Sequence, residues 1–314
     1  MFLLEAVKLT GDSYLMKICK MLAYLISSFV CIAFMAYFEL HSIPIGSSLG
    51  GIIAGILIPY VISTIIDLND NTNWKSSQRK LKRAGVITNN TIIRISFAYL
   101  FRIKIDGEYF LVQNERSAKY QPVGGAYKFY SEEAQFLATN IPVENDDRIP
   151  VDKITNGDYR LLVKSKDLRK FVKRFNNTRF RENINDLSRE FIEELFSGNQ
   201  VDRESFGTLS YTYSGRHMTS IEYGKIFNHY ELLLADIIDV RLSDRQEELI
   251  KNLQQKNSIK YRFAKPNEIK SCGVGFGTKS LVDDIANHTS KILSENTDKL
   301  MLRNKNNNVI DIKI

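Results

Sequence analysis

The chain is poor in cysteine and proline, with three and six among 314 residues. Three thiols cannot build the disulfide framework of a small secreted scaffold. With 17 glycines and no sustained repeat, collagen-like, low-complexity and solenoid chains are also excluded. Cys19 and Cys31 lie too far apart along one expected helix to bridge and Cys272 is alone, so no disulfide is expected. The chain must fold by burial. Its 44% hydrophobic and 25% charged residues suffice for a domain of about 200 residues or more.

Charge is nearly missing from one region. Ile18 to Phe38, ICKMLAYLISSFVCIAFMAYF, carries only Lys20, and Pro44 to Ile66, PIGSSLGGIIAGILIPYVISTII, carries no charge. At a rise of about 1.5 Å per residue each stretch spans roughly the hydrocarbon thickness of a bilayer. A signal peptide needs a shorter apolar run, and buried core helices of a soluble protein are the other reading weighed. The expectation is a two-helix transmembrane hairpin, 18–38 and 44–66, after a cytoplasmic segment 1–17 and before a basic juxtamembrane linker 67–90. Lys8, Lys17 and Lys20 precede it, Lys75, Arg79, Lys80, Lys82 and Arg83 follow, and Glu39 to Ile43 has neither lysine nor arginine. Both ends are therefore expected in the cytoplasm of a multi-pass inner-membrane protein, with Trp74 as an interfacial anchor. Ser47, Gly51 and Gly55, four apart, form a small-residue ridge for self-association or for packing on the first span.

The mean hydropathy of −0.21 averages two unlike regions. Residues 1–74 hold three lysines against five carboxylates, so of the net +7 the remainder carries about +9. That favours anionic partners such as nucleotides, nucleic acid or phospholipid headgroups.

In the soluble part, alternating residues on both sides of Asp106-Gly107 predict a β-hairpin, followed by the turn Pro122-Val123-Gly124-Gly125. Residues 127–184 read as an insertion, with a short strand over 159–163 and a basic helix over 166–175. In Asn185 to Phe196, NDLSREFIEELF, Phe191, Ile192 and Leu195 share one helix face while Glu190, Glu193 and Glu194 converge on the other. An acidic solvated face is the plain reading. A divalent cation such as Mg²⁺ would also relieve the repulsion. Strands are expected over 206–213, 219–227 and 230–240, a helix over 244–255, a strand and turn in YRFAKPNEI (261–269), and a helix over 280–293. His217 and His229 have no metal-ligand spacing, and Cys272 to Ser280 fails both glycine-rich phosphate-loop patterns.

The hairpin, the Pro-x-Gly-Gly turn and Arg189-Glu190-x-x-Glu193-Glu194 together resemble the Nudix family, over about residues 92–293. The resemblance implies an α/β, mixed-sheet α/β/α sandwich over 91–300 with the insertion, and a tail at 301–314. It also implies Mg²⁺ held by Glu190, Glu193 and Glu194 in an active member. Phe175 and Arg181 stand where the signature has glycine and glutamate, with Glu182 one position off, and Phe196 replaces a later glycine. Hydrolysis is therefore not expected, and a membrane-tethered hydrolase of nucleoside diphosphate derivatives is the alternative. A third reading is a membrane scaffold that binds protein.

Two spans before such a domain look like the membrane-anchored Nudix effectors of CBASS antiphage systems. That resemblance implies that a cyclic oligonucleotide made by a CD-NTase binds the cytosolic domain. The protein would then oligomerise and disrupt the inner membrane, ending in abortive infection, with no stable DNA or RNA partner. Candidate nucleotide-binding residues are Arg116, Lys119, Gly124, Gly125, Tyr127, Tyr211, Arg216 and Lys225: cations for phosphate, tyrosines for stacking and glycines for close approach.

Overall fold

The computed structural model describes residues 13–41, 44–69, 74–146, 148–152, 155–196, 201–256, 258–274, 283–294, 300, 302–303 and 308–314. The chain divides into two compact units, Met1–Lys80 and Leu81–Ile314.

The first unit holds α1 (Ser13–Leu40) and α2 (Pro44–Asn69), which runs unbroken through Pro59. Met21–Leu40 is long and apolar enough to cross a membrane, as is a signal sequence near an N-terminus. The second predicted span is less clear. Its apolar stretch among the described residues, Gly50–Ile62, is shorter. The small residues of α2 that meet α1 are offset by one from the expected ridge. A Cβ at Gly50 would lie 3.0 Å from Met35 Cβ and 3.1 Å from the Cys31 carbonyl, Gly46 packs on the Phe38 ring, and Ala54 is buried. Gly51 has Met35 Sδ at 3.6 Å and Gly55 has nothing within 4 Å, while the Ser47 side chain lies outside what is described. α3 (Trp74–Arg83) follows, with Trp74 buried at 2% exposure instead of presented as an interfacial anchor.

The second unit is a mixed α/β domain. Its first strand, β1 (Ile92–Arg102), turns Ile93, Ile95, Phe97, Tyr99 and Phe101 to one face, all fully buried, while the other face carries buried Arg94, Leu100 and Arg102 beside part-exposed Ser96 and Ala98. The Asp106-Gly107 turn joins β2 (Lys104–Ile105) to β3 (Glu108–Gln113) as predicted, and Asp106 and Gly107 both take positive φ there. β4 (Tyr120–Gln121) and β5 (Gly124–Ala126) follow. The insertion supplies α4 (Ser131–Asn140), β6 (Val143–Asn145), β7 (Arg160–Lys164) and α5 (Leu168–Asn177). It is no appendage, because β7 pairs with β1 and β6 with β7. Leu168, Phe171, Val172 and Phe175 form the buried stripe of α5 at helical spacing.

The acidic segment is helical over only seven residues, α6 (Arg189–Leu195), and a single turn α7 (Arg203–Phe206) precedes β8 (Thr208–Met218). β8 runs five residues past its predicted end, and its pairing with β10 shifts by one residue at a bulge, where Ile237 faces Gly215 but Ile238 faces Tyr213. The expected strand 219–227 shrinks to β9 (Glu222–Gly224), which turns into β10 (His229–Arg241). α8 (Asp244–Gln254) is set by a Ser243–Gln246 capping box. β11 (Tyr261–Ala264) and α9 (Pro266–Lys270) take up YRFAKPNEI. The helix predicted over 280–293 is only a 3-10 helix, Asn287–Ile292, and residues 275–282 lie outside the described ones. The tail placed outside the domain instead completes the sheet, since β12 (Leu302–Arg303) and β13 (Val309–Lys313) both pair with β8.

The main sheet runs β12-β8-β10-β1-β7-β6, with β1 and β10 parallel at its centre and β5 extending β1. A smaller sheet, β11-β3-β2 with β4, packs on one side, where Tyr109, Leu111 and Ala264 share a core with Leu100, Ala235, Ile237, Ile285 and Ile292.

Candidate functional site

The acidic helix is anchored from below. Phe191 and Leu195 are fully buried, Phe191 edge-on to Phe101 with ring centroids 5.2 Å apart, so Arg189, Glu190, Glu193 and Glu194 are left at the other side of α6. β5 runs against that side. The Gly124 amide donates to Glu194 Oε2 at 2.8 Å, and a Cβ on Gly125 would overlap the Glu190 carboxylate. Gly124 also has φ of +144° and a Cβ there would overlap the Tyr99 carbonyl, so the paired glycines are a steric requirement of the site.

Arg189 organises the carboxylates. Its Nε reaches Glu182 Oε1 at 2.7 Å, its Nη1 reaches Glu190 Oε1 at 2.7 Å and Glu193 Oε2 at 3.3 Å, and its Nη2 donates to the Ala126 carbonyl at 3.0 Å. Glu182, which also accepts from the Lys128 amide at 2.8 Å, supplies the carboxylate that the signature places one residue earlier. Arg181 turns elsewhere, its guanidinium 4.0 Å from the Phe175 ring centroid and 4.9 Å from that of Tyr127.

One cation thus serves three carboxylates, and Glu194 has only neutral donors. Burial raises the pKa of Glu190, with Arg189 opposing; burial first and the Glu190 charge second push Glu194 well above the usual carboxylate range. Burial disfavours the Arg189 cation too, but the Glu182 hydrogen bond and the Glu190 charge more than offset it and raise its pKa. Burial first, and the charges of Glu182 and Glu190 against that of Arg189, push the Tyr99 hydroxyl well above its ordinary pKa.

The Mg²⁺ set expected from Glu190, Glu193 and Glu194 is not assembled. Carboxylate oxygens suit the ion, but Glu190 and Glu193 are turned to Arg189, and among the described residues no three His, Cys, Asp or Glu stand together to hold a metal.

A family model described as the SMODS-associated NUDIX domain matches residues 92–293. The chain belongs to that family. No curated protein matches the chain.

Within the Nudix domain the expected ligand residues separate. Gly124 and Gly125 line the carboxylate helix. Tyr127 and Arg216 are buried in a closed network: Arg216 grips Asp236 with Nε and Nη2 at 2.7 and 2.8 Å, and Tyr127 and Tyr213 donate to the same carboxylate at 2.7 and 3.1 Å. Tyr211 is fully buried and its hydroxyl joins the Leu187 amide to the Ile184 carbonyl, so neither predicted tyrosine can stack on a ligand in this conformation. Arg116 pairs with Asp152 at 3.2 Å on the surface, and Lys119 with Asp283 at 2.8 Å. Lys225 lies in the β9–β10 turn just after Gly224, which faces His229, and seven strand steps run from Tyr230, the next residue, to Ile237, which flanks Leu100 opposite Gly124. At about 3.3 Å per residue that is roughly 23 Å from the glycine turn.

Sequence reading missed Tyr99 and Asp236, and noted Glu182 only as a carboxylate one position off the signature. A lone aspartate inside the apolar run of ELLLADIIDV was a legible sign that β10 buries a charge, and a buried carboxylate needs a cation.

Proposed function

We propose that this SMODS-associated Nudix domain is the sensor of a CBASS effector that binds a cyclic oligonucleotide made by a CD-NTase. The family match points to that setting. The observation that carries the binding reading is Arg189, which neutralises from within the protein the carboxylates that a hydrolase would give to a metal ion. A basic domain suits a multiply anionic ligand. The apolar helix Met21–Leu40 would anchor the protein in the inner membrane, with α2 as a second span and both ends cytoplasmic. Ligand binding would drive homo-oligomerisation along the Gly51 and Gly55 side of α2, which α1 leaves largely free, and assembly would disrupt the bilayer.

The test is calorimetric titration of the full-length protein in detergent with cyclic di- and trinucleotides, followed by light scattering and recovery of the ligand. Tight binding of one cyclic nucleotide, returned intact, with a rise in subunit number is expected; no binding across the panel sinks the sensor reading. Gly55→Leu should then block assembly while sparing ligand affinity, whereas Gly50→Leu should break the α1–α2 contact itself.

The second reading is an anchored Mg²⁺-dependent hydrolase, favoured by Glu194, which pairs with no cation among the described residues. Turnover of a linear nucleoside diphosphate derivative, abolished by Glu190→Gln, Glu193→Gln or Glu194→Gln, would establish it.

A further inference from the structure

The two faces of the main sheet are covered unequally. One is sealed by α5 and α6 over Phe97, Tyr99 and Phe101. On the other, residues 94, 96, 98, 100 and 102 of β1 line up, and the 3-10 helix and smaller sheet cover only one end, burying Leu100 and bonding Arg102 Nε to the Ile292 carbonyl at 2.5 Å. The cover then stops. Ser96 and Ala98 on β1 and Leu233 on β10 are part-exposed although both strands lie at the centre of the sheet. Small residues flanked by strands on both sides make the floor of a trough. Arg94, held by Asp146 at 2.6 Å and Glu231 at 2.9 Å, closes its far end.

The walls are cationic. Arg160 stands opposite Ser96 in the β1–β7 register and spends one nitrogen on Asp158, which Lys128 also neutralises at 2.6 Å. At the near end His217 Nε2 lies 3.1 Å from the Lys291 carbonyl, which ties the 3-10 helix to β8. Lys291 and His288 on that helix make no ion pair with a carboxylate among the described residues. His288 is exposed and Lys291 half-buried; the packed surroundings and the neighbouring Lys291 and Arg160 charges pull the His288 pKa down to about 4, so the ring is neutral near pH 7, and burial lowers the Lys291 pKa. Arg160 and Lys291 therefore supply the charge and the neutral His288 ring a hydrogen-bond donor, a set that suits a phosphate group over a small-residue floor.

We infer that this trough, floored by Ser96 and Ala98 and walled by Arg160, His288 and Lys291, holds the phosphates of a multiply charged phosphodiester without a metal ion. It rests on the sensor reading for the ligand's identity but not for the site. Arg160 comes from the inserted strand β7, so the insertion equips the trough, and the carboxylate helix is left as a framework.

The test uses inorganic pyrophosphate and, separately, a cyclic dinucleotide, titrated into the full-length protein in detergent with EDTA. Pyrophosphate should bind, and the side-chain resonances of His288 should shift in the unmutated protein. Arg160→Ala and Lys291→Ala should each weaken binding about tenfold or more, Arg160→Lys should restore part of it, and Arg116→Ala should change nothing. Absence of pyrophosphate binding, binding only with Mg²⁺ that Glu194→Gln removes, or unchanged affinity in Arg160→Ala would each overturn the proposal. Cyclic dinucleotide binding that survives both alanine variants overturns the trough and leaves the sensor standing. Pyrophosphate binding that both variants lose, with no cyclic oligonucleotide bound, does the reverse.

Discussion

Two charge clusters lie close to the same sheet face and are built on opposite principles. Around Asp236 one carboxylate receives a bidentate arginine and two tyrosine hydroxyls, and the fourth participant, Asn176, takes the remaining arm of Arg216 at 2.8 Å. Around Arg189 one guanidinium is shared among Glu182, Glu190 and Glu193, with Glu194 beyond its reach. The first is complete and dry, and gives the fold its register between β8 and β10. The second is short of positive charge, so it answers to any change of protonation or cation. A buried pair with every valence met stabilises a structure only when both partners stay, whereas an under-neutralised group is a place where substitution can stabilise.

The widest separation between the two should come from Asp236→Ala. It strands Arg216 at 8% exposure, so a loss of about 3 to 5 kcal/mol is expected in chemical denaturation of the full-length protein. A loss below about 1 kcal/mol would show that the closed cluster is not closed. Arg189→Ala comes next. It leaves Glu182 buried without its cation, but Glu190 and Glu193 can turn to water, so roughly 2 to 3 kcal/mol is expected by the same measurement.

Glu194→Gln should go the other way. Its folded pKa is raised, so the charged form costs stability above that pKa, and the cost fades as pH falls through it toward the unfolded value. The variant should be more stable than the parent by on the order of 1 kcal/mol at pH 8, with the difference shrinking by pH 5. A parent and variant that track each other across that range would remove the asymmetry between the clusters. Smallest is Arg116→Ala: both partners of its ion pair with Asp152 are about half exposed, and thermal unfolding should shift by less than a degree or two.

Local pattern made much of the fold readable. The Asp-Gly turn and the helices expected over 166–175 and 244–255 are written in neighbouring residues, and each appears close to where it was expected. What stayed hidden depends on distant partners. Alternation said that Tyr127 and Tyr211 each belong to a strand face, but not that the face is sealed, because the seal of Tyr127 comes from Phe175 and from Asp236, 109 residues away. The site was half legible. Glycines and glutamates announced themselves by spacing, while Glu182 was obscured by a one-residue shift that the loop before α6 absorbs by bonding both Arg189 and the Lys128 amide. The insertion looked like an interruption because its local partner, β6, is only three residues long, and β7 joins the main sheet through β1, which it meets only in three dimensions.

The parallel pairing of β1 with β10 sets the order in which the molecule can be made. Arg102 and Asp239, which form an ion pair across those strands, are 137 residues apart in sequence. The two central strands cannot find each other until most of the domain has left the ribosome, long after the apolar N-terminal helix has emerged. Synthesis therefore passes through a stage in which β1 can pair with β5 and β7 but still lacks its partner β10 along the other edge. Slowed folding at that stage, from any change that weakens β10, is expected to appear as loss of protein to aggregation and proteolysis before it appears as loss of binding.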